Sequence, residues 1–354
     1  MIYLLLAAGL FMGWSLGTND AANAFGTAVA TKVVSYKTAV TIIAIMVVLG
    51  AFIGGENNIT SVAKLATSNK VTFDQPEIEA AVAGEYLGDL KLKAALKAFI
   101  IFTAAGLTVF LMSYLKFPVS ANQSITGAII GWGLCYADYS DPAVQAVNLP
   151  QLGKFASTWL INPVGAGIIS FVLVSITARF LEKRITALKS YDKVLKLGYL
   201  VAGAYSSFSI GLNSSANVTA LYYDQFHMGA NLLNNAQITA LIGGIAIAVG
   251  VLTYSRKVME TVGDSIAKLT QIEGFVVIIA TATTIVLMGT LMGIPVSTSQ
   301  AVVGAVVGAG LTRGVKNVNF GVFKNIAIAW VSSPLVAGVL TYIVAFLTRG
   351  FFGA

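Results

Sequence analysis

Charge is scarce in this chain. Asp, Glu, Lys and Arg make up 10% of its 354 residues, against about 25% in an ordinary soluble domain. A chain this poor in charge cannot cover a water-facing surface of its size, whereas lipid lets apolar side chains face outward. Cys135 is the only cysteine, which excludes an intramolecular disulfide. His227 is the only histidine, so there is no Cys/His cluster to hold zinc. No Walker-type glycine loop is present, and the lone His leaves no ordinary Ser/His/Asp set. These absences argue against an enzyme, against a resident cofactor and against transport driven by ATP on this chain.

What is abundant is apolar sequence, at 56% of the residues. A membrane span needs about 20 apolar residues. Candidate spans lie near 2–31, 38–55, 94–115, 118–136 and 155–178, then 195–221, 236–254, 274–293, 295–312 and 323–347. That makes about ten, five in each half. The N-terminus starts apolar, with no basic n-region, and is read as a first membrane helix rather than a cleaved signal. The stretch 56–93 is the most polar part of the chain and is expected to be a solvent-facing, partly helical excursion.

The net charge of +7 does not point to nucleic acid, because the basic residues fall in short clusters between apolar runs. Lys32 and Lys37 follow the first span, and Lys116 follows the third. The connection 179–197 carries Arg179, Lys183, Arg184, Lys189, Lys193 and Lys196 against Glu182 and Asp192. Loops 137–153 and 222–235 are poor in Lys and Arg. The positive-inside rule then puts 179–197 in the cytoplasm and both termini outside the cell. Five crossings per half is an odd number, so the halves are expected to lie in opposite orientations.

The halves also repeat. Gly17-Thr18-Asn19-Asp20-Ala21-Ala22-Asn23 recurs as Gly211-Leu212-Asn213-Ser214-Ser215-Ala216-Asn217. Pro118-Val119-Ser120-Ala121-Asn122-Gln123-Ser124 recurs as Pro295-Val296-Ser297-Thr298-Ser299-Gln300-Ala301, and Trp159-Leu160-Ile161-Asn162-Pro163 as Trp330-Val331-Ser332-Ser333-Pro334. The expected fold is therefore all-α and integral to the cell membrane, with inverted-topology repeats over 1–178 and 198–354 joined by a basic linker over 179–197. Secondary transporters of this type break helices at the bilayer midplane to form their sites.

Asp20 sits inside an apolar run with no Lys or Arg beside it in that span. An ionised Asp at the centre of a membrane helix costs about 2.5–3.5 kcal/mol on insertion scales, so it calls for a partner. A cation or a proton fits, and the carboxamide oxygens of Asn19, Asn23, Asn213 and Asn217, with the Ser214 hydroxyl, suit sodium. The central sodium ligands are taken as Asp20, Asn23 and Asn217. Ser120, Asn122, Gln123 and Ser124, with Ser297, Thr298, Ser299 and Gln300, stand at two Pro-preceded helix starts. Free backbone N–H groups and the helix dipole make such starts anion sites. Gly127, Gly131, Gly304 and Gly308 are four apart in each helix, which permits close packing.

These residues resemble the inorganic phosphate transporter (PiT) family. Its repeated signature is close to Gly-Ala-Asn-Asp-Val-Ala-Asn-Ala, and the likeness runs over essentially the whole chain. The resemblance implies phosphate uptake coupled to sodium or protons, and some relatives carry sulfate. A sulfate permease of the same fold and a passive anion channel are the alternatives. The expected partners are phosphate or sulfate, sodium or a proton, and membrane lipid; a homodimer is compatible with the reading. Two positions depart from the family pattern: Ser214 stands where an Asp is usual, and Ala121 replaces a Thr.

Overall fold

The computed structural model describes residues 2–66, 87–115, 119–136, 147–181, 188–223, 236–256, 259 and 267–352. The described residues are almost wholly helical. In the first half they form α1 (Ile2–Ala30), α2 (Tyr36–Gly54), α3 (Glu56–Leu65), α4 (Leu87–Tyr114), α5 (Ala121–Tyr136) and α6 (Leu149–Leu181). The second half contributes α7 (Leu188–Ser214), α8 (Ala216–Tyr223), α9 (Ala236–Tyr254), α10 (Gln271–Met292), α11 (Thr298–Leu311), α12 (Phe320–Leu347) and the short α13 (Arg349–Phe352). Each of the ten expected spans is occupied by helix.

Six helical stretches are long and apolar enough to cross a membrane: Tyr36–Gly54, Leu92–Tyr114, Leu149–Thr177, Ala236–Tyr254, Gln271–Gly289 and Phe320–Leu347. α5 and α11 have 16 and 14 residues. At 1.5 Å per residue they extend roughly 24 and 21 Å, short of the roughly 30 Å hydrocarbon layer. Their first turns are buried inside the protein, at Asn122, Gln123, Thr298 and Ser299.

The packing repeats as the sequence does. α1 lies against α4 and α9, while its counterpart α7 lies against α10 and α2. α5 pairs with α12, and α11 with α6. Glycines permit these approaches. A Cβ on Gly17 would sit 2.0 Å from the Ile247 carbonyl oxygen, and one on Gly211 would sit 2.0 Å from that of Val47. The same holds at Gly127 against Pro334 and Gly304 against Pro163, at 2.1 and 2.0 Å from the proline oxygens.

Two expectations need correcting. α1 is one continuous helix through Asn19, Asp20 and Asn23, not a broken one. Gly17 serves close packing there, and Asn23 bonds Asp20 from one turn along the same helix. The counterpart does break, at Ser215 between α7 and α8, and Gly55 and Gly243 leave room there: a Cβ on them would sit 2.3 Å from the Ser215 hydroxyl and 2.7 Å from its carbonyl oxygen. Second, 56–65 is helical, as expected in part, but it faces solvent on one side only. α3 buries Asn58, Ile59, Val62 and Leu65 against α8, and Gln151 Nε2 donates to its Ser61 carbonyl at 3.0 Å. The carbonyl of its C-cap, Ala66, accepts from Lys97 Nζ at 3.0 Å, an amino group only 2% exposed. An amphipathic ten-residue helix hides its apolar stripe in the protein despite its polar average. Residues 67–86, together with 182–187 of the basic linker, Pro118, and loops 137–146 and 224–235, lie outside the described residues.

Candidate functional site

The repeated motifs come together in the protein interior. Asp20 is 5% exposed, yet no basic side chain bonds to it among the described residues. Asn23 Nδ2 donates to Asp20 Oδ1 at 2.9 Å and to Ser299 Oγ at 3.2 Å. Thr298 Oγ1 donates to Asp20 Oδ2 at 3.3 Å, and Ser299 Oγ to Asn19 Oδ1 at 3.4 Å. The first-half signature thus meets the start of α11 from the second half. Each buried polar group there has its partner on another element, as an apolar interior requires.

The two short helices begin alike. Ser297 Oγ accepts from the Gln300 backbone N–H at 3.2 Å, and Ser120 Oγ accepts from that of Gln123 at 3.2 Å. A Ser cap takes up one of the orphan N–H groups of the first turn. The others point toward whatever lies ahead of the helix, and the dipole makes that position favourable for negative charge. Asn162 Nδ2 donates to the Ser297 carbonyl at 2.7 Å and Asn122 Nδ2 to the Pro295 carbonyl. Asn213 grips the same run at both ends of Val296, its Nδ2 donating to the carbonyl at 2.7 Å and its Oδ1 accepting from the N–H at 2.8 Å.

Asp20, Asn122, Ser214, Asn217, Ser297, Thr298 and Ser299 share a cavity of about 10 Å³ with Ala121 and Val296. That is the room of one water-sized body. Within this set Asn122 Oδ1 and Asn217 Oδ1 are buried and have no hydrogen-bond partner. With the Asp20 carboxylate they make a set of acceptor oxygens, which suits a bare cation. Asn122, expected on the anion, thus offers the cavity an acceptor, because its NH₂ is engaged with Pro295.

Not every expected residue reaches the cavity. Ser124 Oγ turns back onto the Ser120 carbonyl at 3.1 Å. Gln123 and Gln300 line a different space, an apolar crevice of about 850 Å³ between α6, α11 and α12, walled by Trp159, Leu160, Val164, Ile168 and Trp330. Asn19 donates to Ser113 Oγ at 2.8 Å. Ser113 and Asn162 carry roles that sequence reading missed. Asn162 stood in the third repeated pair, whereas nothing in the sequence marked Ser113.

The two Asn residues of the second signature should behave differently. Asn213→Ala strips buried partners from both the N–H and the carbonyl of Val296, each worth about 1–3 kcal/mol when left unsatisfied. A clear fall in thermal stability is expected. Asn217→Ala removes a carboxamide oxygen that has no protein partner, so it should leave stability near wild type and raise the cation concentration needed for half-maximal uptake. Melting curves and cation titrations of the two variants, side by side, check this.

A sequence profile described as the phosphate transporter family matches the chain over residues 16–191 and again over 182–341. The chain is 27% identical to a phosphate permease so named from Pyrococcus furiosus, over 97% of this chain and 95% of that one. It is 29% identical to one from Pyrococcus abyssi, over 97% and 96%. A solved structure titled the sodium-dependent phosphate transporter superposes with a TM-score of 0.77 at 25% identity, covering 98% of each chain.

Proposed function

The chain belongs to the phosphate transporter family, and on that premise we propose that it imports inorganic phosphate together with a cation, sodium or a proton, by alternating access. It is a multi-pass membrane protein and a transporter rather than an enzyme. The carrying observation is the junction of Asn23 and Asp20 on α1 with Ser299 and Thr298 on α11. It sets acceptors for a cation beside the free N–H groups of a helix start, which suit an anion. A cation bound at Asp20 would lower the cost of bringing a phosphate oxygen close, and the phosphate would do the same for the cation. Such mutual stabilisation is what couples their movement.

The cavity of about 10 Å³ admits a cation but not a tetrahedral oxyanion. Anion entry on this reading parts the first turns of α5 and α11. The buried polar contacts between the halves, such as Asn122 to Pro295 and Thr298 to Asp20, are the ones that would exchange. Ten crossings in two opposed repeats would place this junction near the midplane.

Purified protein in liposomes, supplied with labelled phosphate or sulfate under separate sodium and pH gradients, tests the proposal. Phosphate accumulating above its external concentration in response to one cation gradient is the expected result. Uptake that only equilibrates would indicate a channel, and uptake of sulfate alone would replace the anion. Ser297→Ala should weaken phosphate binding tenfold to a hundredfold, since a lost hydrogen bond to a charged group is worth about 1.5–3 kcal/mol. Affinity measured by isothermal titration at saturating sodium checks it.

Topology gives a separate test. Single cysteines placed in 137–150 or 222–235, in a Cys135→Ala background, should react with an impermeant maleimide added to intact cells. Cysteines in 179–197 should react only after the cells are opened. Labelling of 179–197 from outside would refute the opposed orientation of the halves.

A further inference from the structure

We infer that this chain keeps one of two pseudo-symmetric cation subsites and has lost the carboxylate and the cross-half hydroxyl of the other together, so that each phosphate moves with a single cation. The inference rests on the symport reading above. Exchange of the two halves carries Asp20 onto Ser214 and Thr298 onto Ala121, by the alignment of the repeated motifs. In the kept subsite the Asp20 carboxylate accepts from Thr298 Oγ1 across the two halves, at 3.3 Å. Its image is a serine and a methyl group. All four residues line the same small cavity.

Chemistry links the two losses. A carboxylate buried in a membrane protein needs donors, and a buried hydroxyl needs an acceptor. Thr298 and Asp20 meet each other's need. A Thr at 121 facing a Ser at 214 would lack its charged acceptor, and an Asp at 214 facing Ala121 would lack its cross-half donor. The chain contains neither unmatched combination. Ser214 Oγ instead accepts from its neighbour Asn213 at 3.3 Å, a contact that needs nothing from the opposite half.

The ligands point the same way. The cavity's unpartnered acceptors, Asn122 Oδ1 and Asn217 Oδ1, stand at the images of Ser299 and Asn23, so the neutral oxygens of the second subsite remain and serve the one carboxylate, Asp20. One negative charge in a low-dielectric interior favours one monovalent cation, and a second cation beside it would meet repulsion without a compensating charge.

The first measurement uses the wild-type protein in liposomes, with labelled phosphate uptake recorded alongside labelled sodium uptake and, by an internal pH dye, proton uptake. One cation per phosphate is expected, and two or more overturns the inference while leaving symport intact. Absence of any cation dependence would instead defeat the symport reading itself. The second measurement uses Ser214→Asp, Ala121→Thr and the double variant. Ser214→Asp alone should lower phosphate uptake at least tenfold. Adding Ala121→Thr should recover uptake and raise the ratio to two cations per phosphate, with a steeper dependence on cation concentration and one more positive charge moved per cycle. A folded double variant that carries phosphate at the wild-type ratio overturns the proposal. If the double variant does not fold, the wild-type ratio decides.

Discussion

Asp20→Asn is expected to abolish cation-driven accumulation of phosphate while leaving the protein folded. The substitution keeps the side chain's shape. Asn at 20 still offers an oxygen to Thr298 Oγ1 or Asn23 Nδ2, which now bond the carboxylate at 3.3 and 2.9 Å. What disappears is the only acidic charge among the residues that line the cavity. Breaking a buried ion pair by removing one partner costs about 3–5 kcal/mol. With the cation as the other partner, that corresponds to a loss of roughly two to more than three orders of magnitude in cation affinity. Folding should hold, because an ionised group in the bilayer interior is itself unfavourable and its removal relieves that cost. Uptake under sodium and pH gradients, with melting temperature measured on the same preparation, separates the two effects. Normal coupled uptake by Asp20→Asn would mean that the carboxylate is a packing element and that the cation binds among neutral oxygens.

The other large effect concerns stability rather than coupling. Gly304→Val should prevent α11 from seating on α6. Its Cβ would fall 2.0 Å from the Pro163 carbonyl oxygen and 2.7 Å from both the carbonyl carbon and the Cα of that residue. These are backbone atoms, so no side-chain rotation makes room, and the helices themselves must move apart. Adding bulk to a packed interior costs about 1–3 kcal/mol where neighbours adjust, and here the loss should exceed that range. Gly127→Val, the same change in the other half, meets Pro334 at 2.1 Å and should fail alike. Gly289→Ala is the control, because nothing lies within 4 Å of the added methyl. Recovery of monodisperse protein and its melting temperature give the comparison. The two proline-to-glycine contacts also anchor the short helices whose N-termini are the proposed anion site. Milder changes such as Gly304→Ala should therefore lower phosphate affinity as well as stability.

Much of this was legible in the residues. Low charge and long apolar runs establish a membrane protein, because solvent is the strongest constraint on composition. The three repeated motifs, in the same order in both halves, mark the residues that meet at the centre, and the lone Asp20 among them marks the charge. The role of the glycines at four-residue spacing was legible too, since a Cβ-less stripe on a helix has few uses other than close approach.

Other features depend on what each side chain finds across the protein, which no local pattern contains. Gln123 and Asn122 are adjacent in sequence, yet one lines the apolar crevice and the other the ion-sized cavity. The 100° step between successive helical residues separates them, and only the packing of α5 says which direction is which. Asn19 and Asn213 are counterparts, but one bonds Ser113 while the other clamps Val296. α1 runs straight where its counterpart breaks at Ser215, although the two signatures keep the same pair of Asn residues four apart. α3 carries polar residues yet buries one face, and Lys97 of α4 bonds the carbonyl at its end. Composition and repetition thus determined the solvent, the class of fold and the inventory of polar groups. Tertiary packing decided which of those groups face one another, because a hydrogen bond's partner is set by where helices cross and not by how far apart its residues stand in the chain.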